Sequence, residues 1–304
     1  MPLPADLPTP LTAVADPVLA RAGVELRLKR DDLLHPTVPG NKWRKLTPNL
    51  DRALAEGRTR LVTFGGAYST HLRATAAAAR ALGLASVGVV RGEELAAAPR
   101  NWSLAAAEAD GMELEFVSRA AYRALATGGG AASGRWADAL VLPEGGSNAL
   151  AVHGTAALPA ELGDLGPRDL VCCPVGTGGT LAGIAAGLPS GARALGVAVL
   201  RGEGYLEAAV EELHRAAHGR AFDGWRIHHG HHGGGYGRVP AALEAFAADF
   251  EQRHGIGVER RYVAKALQAV YDLAAAGALV SGTRVTLVVT GVPDEAAAAA
   301  VSRS

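Results

Sequence analysis

The sequence predicts an α/β fold in two domains, built on parallel β-sheets flanked by helices. Two stretches with one shared plan carry this prediction. In the first, Leu61, Val62, Thr63 and Phe64 read as a buried strand, Gly65-Gly66 breaks it, residues 71–83 read as an alanine-rich helix, and residues 86–90 as a second strand. In the second, residues 170–175 read as a strand, 176–179 as a glycine-rich loop, 180–188 as a helix and 194–200 as a strand. Strand, glycine turn, helix, strand is a βαβ unit, whose strands run parallel and are buried on both faces. The two units start about 110 residues apart, which suits two α/β domains or two halves of one sheet.

The remaining elements follow in order. Residues 100–110 and 120–126 read as helices and 128–134 as a flexible turn. Residues 204–218 form a further helix and 228–237 a histidine- and glycine-rich loop. Residues 240–254 and 262–276 read as amphipathic helices, and 285–290 as a last buried strand before Gly291. No short-period repeat of the solenoid kind is present.

Composition bounds the function. The 304 residues are 49% apolar and 20% charged, with 30 acidic and 30 basic side chains. That is a globular composition with no charge excess to attract nucleic acid or an anionic membrane surface. The two cysteines, Cys172 and Cys173, are adjacent in an apolar run, so no disulfide is expected and a reducing compartment fits. Four prolines and no apolar core occupy the first ten residues, which is no signal peptide, and no apolar run is long enough to span a bilayer. A cytoplasmic protein is expected. Only four of the 30 basic residues are lysine: Lys29, Lys42, Lys45 and Lys265.

Three segments point to chemistry. Gly176-Thr177-Gly178-Gly179-Thr180 joins a buried strand to a helix, where free N–H groups and the helix dipole suit a phosphate. It is not a Walker loop, because Gly179 rather than lysine precedes Thr180, and Leu181 stands where a dinucleotide fingerprint needs glycine. The other reading is a tight structural turn. Gly65-Gly66-Ala67-Tyr68-Ser69-Thr70-His71 also enters a helix and suits a substrate carboxylate or a cofactor oxygen; the other reading makes Ser69 or Thr70 only an N-cap. Pro39-Gly40-Asn41-Lys42 is a turn into a helix whose first turn holds Lys42. There the helix dipole and burial both lower an amine's pKa, as imine chemistry requires; the other reading is a solvated basic patch. His228, His229, His231 and His232 share one glycine-rich loop, yet lack a nearby cysteine, and no metal is expected there.

Taken together and in this order, Lys29-Arg30-Asp31-Asp32, Gly40 to Leu46, Gly65 to His71, Gly176 to Thr180, His231 to Tyr236 and Tyr262 to Lys265 resemble the D-cysteine desulfhydrase / 1-aminocyclopropane-1-carboxylate (ACC) deaminase family. That family is a branch of the tryptophan-synthase-β-like, fold type II enzymes that use pyridoxal 5'-phosphate (PLP). The resemblance spans nearly the whole chain. It implies a larger PLP-binding domain from residues 1–47 and 154–304, a smaller inserted α/β domain from 48–153, and a homodimer. It implies that Lys42 carries the cofactor as an imine and moves protons, with Asn41 and Thr70 also binding the cofactor. Ser69, Thr70 and His71 would hold the substrate carboxylate, Ser69 assisting proton transfer. Gly176, Thr177, Gly178, Gly179 and Thr180 would bind the cofactor phosphate. Tyr236 and Tyr262 would line the substrate side as acid/base or nucleophilic groups, and Thr290 would meet the pyridine nitrogen. A hydroxyl there leaves that nitrogen largely unprotonated, which suits β-elimination of a good leaving group.

The sequence departs from the family pattern at three positions. Thr70 replaces asparagine, Val263 replaces the glutamate of ACC deaminases or the threonine of desulfhydrases, and Ala264 replaces glycine. The expected function is a PLP-dependent lyase eliminating the β-substituent of a small amino acid, D-cysteine desulfhydrase-like. The alternatives are ACC deamination, a PLP- or ligand-binding protein without turnover, and a phosphate-ligand binder without PLP.

Overall fold

A computed structural model describes residues 3–129 and 134–293. The strands are β1 (Leu11–Val14), β2 (Glu25–Lys29), β3 (Arg60–Gly65), β4 (Ala85–Arg91), β5 (Met112–Val117), β6 (Ala139–Val141), β7 (Asp169–Val175), β8 (Arg193–Ala198), β9 (Trp225–His228) and β10 (Arg284–Val288). The α-helices are α1 (Pro17–Arg21), α2 (Asn41–Ala55), α3 (Thr70–Ala81), α4 (Trp102–Ala109), α5 (Arg119–Ala124), α6 (Ala149–Ala156), α7 (Gly179–Gly187), α8 (Tyr205–His218), α9 (Ala241–His254) and α10 (Val263–Ala275). The helices and strands expected from sequence are present within a few residues. The flexible turn expected at 128–134 lies partly outside the described residues.

The strands form two sheets. The larger runs β1-β2-β10-β7-β8-β9 and the smaller β5-β4-β3-β6. Every ladder is parallel except the antiparallel β1–β2 edge pair. Burial on both faces explains the near-continuous apolar runs, and the two cysteines show it directly. With a side-chain period of two, Cys172 joins the core beneath α9 and α10, while Cys173 joins the core beneath α7 and α8. Both thiols are fully buried and free.

Local signals set the helix ends. Asp16 accepts from the Val18 amide and precedes Pro17 at the start of α1; Asn101 caps α4 and Asn148 caps α6. Pro48 lies inside α2 and has no N–H to offer the Arg44 carbonyl. Gly154 of α6 packs against that freed oxygen so closely that a Cβ would collide with it. Gly183 of α7 approaches α6 at Thr155 in the same manner. Small residues thus let α2, α6 and α7 stack between the sheets. Residues 48 and 153, the limits expected for the inserted domain, lie within α2 and α6.

Candidate active site

Parallel strands place their carboxyl ends on one side, and ligands gather there. The ends of β3, β4, β6, β7 and β10 surround a cavity of about 280 Å³ lined by all thirteen residues singled out above. Asn41, Lys42, Ser69, Thr70, His71, the 176–180 loop, Tyr236, Tyr262 and Thr290 therefore meet in one cleft, although they lie up to 249 positions apart in sequence (41 to 290).

Lys42 sits in the first turn of α2, which begins after Gly40. Gly40 has φ of 72° and touches the Thr290 carbonyl where a Cβ would clash, so glycine is needed on both counts. The Lys42 ammonium donates to the Gly145 carbonyl oxygen at 3.3 Å. Burial lowers its pKa to about 8. Lys45, one turn on, donates to the same carbonyl at 3.1 Å and to Ser147 Oγ at 2.9 Å. Burial, then the charge of Lys42, push its pKa well down. Asn41 Nδ2 donates to Thr180 Oγ1 at 2.7 Å, which fixes the start of α2 against the start of α7.

The 176–180 loop wraps the N-terminus of α7. Gly178 is left-handed (φ 80°), and a Cβ on Gly179 would come within 2.6 Å of Ser147 Oγ and 3.0 Å of Lys45 Nζ. Thr177 Oγ1 and Ser147 Oγ are 2.6 Å apart. Glycine amides, two hydroxyls and an ammonium thus converge on one small space, as an anion requires.

At the opposite wall, Ser69 Oγ accepts from the Leu72 amide at 3.3 Å, so the N-cap reading of Ser69 holds. Its hydroxyl proton stays available, and the residue also lines the cleft. His71 is buried with neither ring nitrogen hydrogen-bonded. Burial, then the Lys42 and Lys45 charges, depress its pKa well below the usual histidine value, so its imidazole is neutral. Tyr236 and Tyr262 stand edge to face with ring centroids 6.1 Å apart. Burial raises the pKa of both phenols. Lys265 pins the loop carrying Tyr236, donating to the carbonyls of Val199 (3.1 Å), His232 (2.9 Å) and Gly235 (3.2 Å). Val263 is buried in the apolar core under α10.

Among the lining residues that escaped the sequence reading are Arg91, Glu144, Gly145 and Glu259. Glu144, Gly145 and Ser147 belong to a third strand–glycine–helix passage, from β6 through the turn at 144–146 to α6. The signal was there, in Glu144-Gly145-Gly146-Ser147-Asn148, but β6 has only three residues. Glu259 also lines the cleft, its carboxylate accepting from the amides of Arg261, Tyr262 and Val263. Burial raises its pKa. The histidine loop is tied to itself and to two helices: His228 Nε2 lies 2.8 Å from His231 Nδ1, His231 Nε2 lies 2.8 Å from Asp272, and His229 Nε2 lies 2.6 Å from Glu207.

A desolvated lysine without a carboxylate partner, facing an anion cradle and two orphaned ring nitrogens, fits a phosphate-bearing aldehyde such as PLP. Residues 3–291 match the family of pyridoxal-phosphate dependent enzymes, and the chain belongs to it. It is thus a PLP-dependent enzyme of fold type II. A Pyrococcus horikoshii protein provisionally named 1-aminocyclopropane-1-carboxylate deaminase is 28% identical over 289 residues, covering 88% of this chain and 85% of that protein. A Thermotoga maritima protein with the same provisional name is 36% identical over 174 residues; that match covers 55% of this chain and about half (54%) of the relative. The crystal structure of an ACC deaminase homologue superposes with a TM-score of 0.80 at 27% identity, covering 93% of this chain and 89% of the other.

Proposed function

We propose that this enzyme catalyses β-elimination with deamination of a small amino acid, as a D-cysteine desulfhydrase does. One observation carries the reading: the amine of Lys42 shares a cavity with an anion cradle on one side and the Ser69 turn on the other. Relatives named for D-cysteine desulfhydration and for ACC deamination support the same class of substrate. When bound, PLP supplies an electron-withdrawing ring that makes the bonds at the Cα of an attached amino acid labile.

The chain's own residues have separable tasks in this proposal. Lys42 would hold the cofactor, and its amine would take the Cα proton of the substrate. A pKa near 8 suits that task, since the amine is a base yet readily reprotonated. The amides and hydroxyls of 176–180 would hold the phosphate. Thr290 would hold the pyridine nitrogen, and Asn41 and Thr70 would contact the cofactor from the same cavity. Ser69, Thr70 and His71 receive the substrate carboxylate. Tyr236 and Tyr262, protonated at neutral pH, donate to the departing group and exclude water above it. The division at 47/48 and 153/154, the homodimer and the cytoplasmic location belong to the same proposal; size-exclusion chromatography tests the dimer.

A second reading, ACC deamination, has one feature in its favour. Glu259 places a carboxylate in the cleft four residues before the position that family fills with glutamate. Its two oxygens already accept three amides, which weighs against a catalytic part.

The test is to load the protein with PLP, reduce with borohydride and map the modified peptide, then assay D- and L-cysteine and ACC. Label on Lys42, loss of label in Lys42→Ala, and sulfide with pyruvate from one cysteine enantiomer are expected. Label on Lys45, or 2-oxobutanoate from ACC at a comparable rate, overturns the assignment or the ranking.

A further inference from the structure

We propose that Arg91 selects substrates whose β-substituent is anionic, such as a sulfonate, thiosulfonate or phosphate. This rests on the β-elimination reading above and adds the substrate class. Arg91 is the last residue of β4 and lines the same cavity. β4 pairs with β3 so that Val90 faces Gly65, which sets Arg91 beside Gly66 at the start of the carboxylate turn. Its Nη2 lies 3.6 Å from the position a Cβ on Gly66 would occupy, and a ring carbon of Tyr236 lies 3.9 Å from that same point. Adjacent strands are about 4.8 Å apart. A guanidinium one strand over from the carboxylate turn is therefore at the reach of a substituent on the substrate's Cβ.

Three cations line the cavity among the described residues: Lys42, Lys45 and Arg91. The two lysines are committed to the Gly145 carbonyl. Arg91 is not committed. Its only ion-pair neighbour among the described residues is Glu144, at 3.9 Å, beyond hydrogen-bonding range, and it also lies over the face of Tyr122 at 5.3 Å. A planar guanidinium with its donors unspent is suited to bidentate capture of an oxyanion. Glu144 acts as a weak internal competitor that an anionic substrate displaces.

The chemistry balances without a further reagent. The Cα–H bond breaks and its proton passes to Lys42. The Cβ–X bond breaks and its electron pair departs on X, beside Arg91. The released aminoacrylate takes up water and gives a 2-oxo acid and ammonia. Arg91 thus favours binding of X and the charge that grows on it as it leaves.

The experiment compares kcat/KM for S-sulfocysteine, whose substituent is anionic, with that for β-chloroalanine, which is neutral, in both enantiomers. The readout is the ratio of the two, in wild type, Arg91→Met, Arg91→Lys and Glu144→Gln holoenzymes. Arg91→Met is expected to lower the ratio by about tenfold or more, chiefly through KM for the anionic substrate; Arg91→Lys recovers part. Glu144→Gln is expected to raise it, a change of sign that damage to the fold does not imitate. A ratio that stays fixed in Arg91→Met overturns the proposal. Calorimetric titration with aspartate and 2-aminobutyrate, which carry no leaving group, reads the same preference without turnover. If no amino acid is eliminated, the β-elimination reading fails. The titration still decides on Arg91: a preference for aspartate that Arg91→Met removes supports it, and equal binding overturns it.

Discussion

Lys42 has a single hydrogen-bond acceptor among the described residues, and it shares that carbonyl with Lys45. Two ammonium groups on one oxygen, out of water, oppose each other's charge, so the free protein gains by releasing a proton from this pair. The folded pKa of Lys42, about 8, lies below its ordinary 10.5. The unfolded chain therefore binds more protons between those values, and the Lys42 contribution to apoprotein stability rises with pH across that window. The same shift governs loading. The rate of PLP uptake by the apoprotein should climb about tenfold per pH unit below 8 and level off above it, because the neutral amine is the nucleophile. Stopped-flow absorbance across pH 6–10 measures this; an inflection near 10 would show an ordinary, solvated lysine.

At the scale of elements, α1 shows how one side chain joins several. Asp16 caps α1 and also accepts from Tyr271 of α10 and pairs with Arg253 of α9. Burial raises its pKa, but the hydrogen bonds from Arg253, Val18 and Tyr271 outweigh it and bring the value to about 2. Its stabilising effect is complete above about pH 4 and fades as pH falls toward 2. Asp16→Asn should lower stability near pH 7 by about 1–3 kcal/mol, with the gap to wild type closing in acid. Urea titrations at pH 7 and pH 3 check both parts.

Elements of this kind differ in how far the sequence announces them. β3, β7 and α3 were legible because apolar runs, glycine breaks and an alanine-rich stretch are local signals. β1 and β9 were not: each has four residues and, lying at an edge of the sheet, keeps partly exposed side chains. The site followed the same rule. Glycine loops and Lys42 were readable from their own neighbours. Arg91 was not, because the end of a buried strand looks alike whether it meets solvent or a cleft. Glu259 was missed because its carboxylate is turned back on the amides of its own chain.

On the scale of the molecule, a buried charge network ties the N-terminal segment to the rest. Arg44 of α2 grips Asp31 at 2.7 and 2.9 Å and Glu161 at 2.7 and 3.0 Å, and Lys29 of β2 meets Glu161 at 2.6 Å. Arg44, Asp31 and Lys29 are fully or almost fully buried. Removing one partner strands the others without water. Arg44→Met should therefore cost about 3–5 kcal/mol, read by denaturant unfolding, and should loosen the helix that carries Lys42. A loss under 1 kcal/mol would mean that water reaches the network.

The order of strands in the larger sheet has a consequence for how the chain is made. β2 finds its neighbour β10 only after more than 250 further residues have been synthesised (29 to 284), whereas the smaller sheet closes within residues 60–141. A chain emerging from the ribosome can complete the smaller sheet early, while β1, β2 and the amine of Lys42 wait with an unpaired edge. Contact between Gly40 and Thr290 comes late, so the start of the helix that carries Lys42 is fixed only once residue 290 has been made. The half-made protein has no assembled site with which to capture a reactive aldehyde.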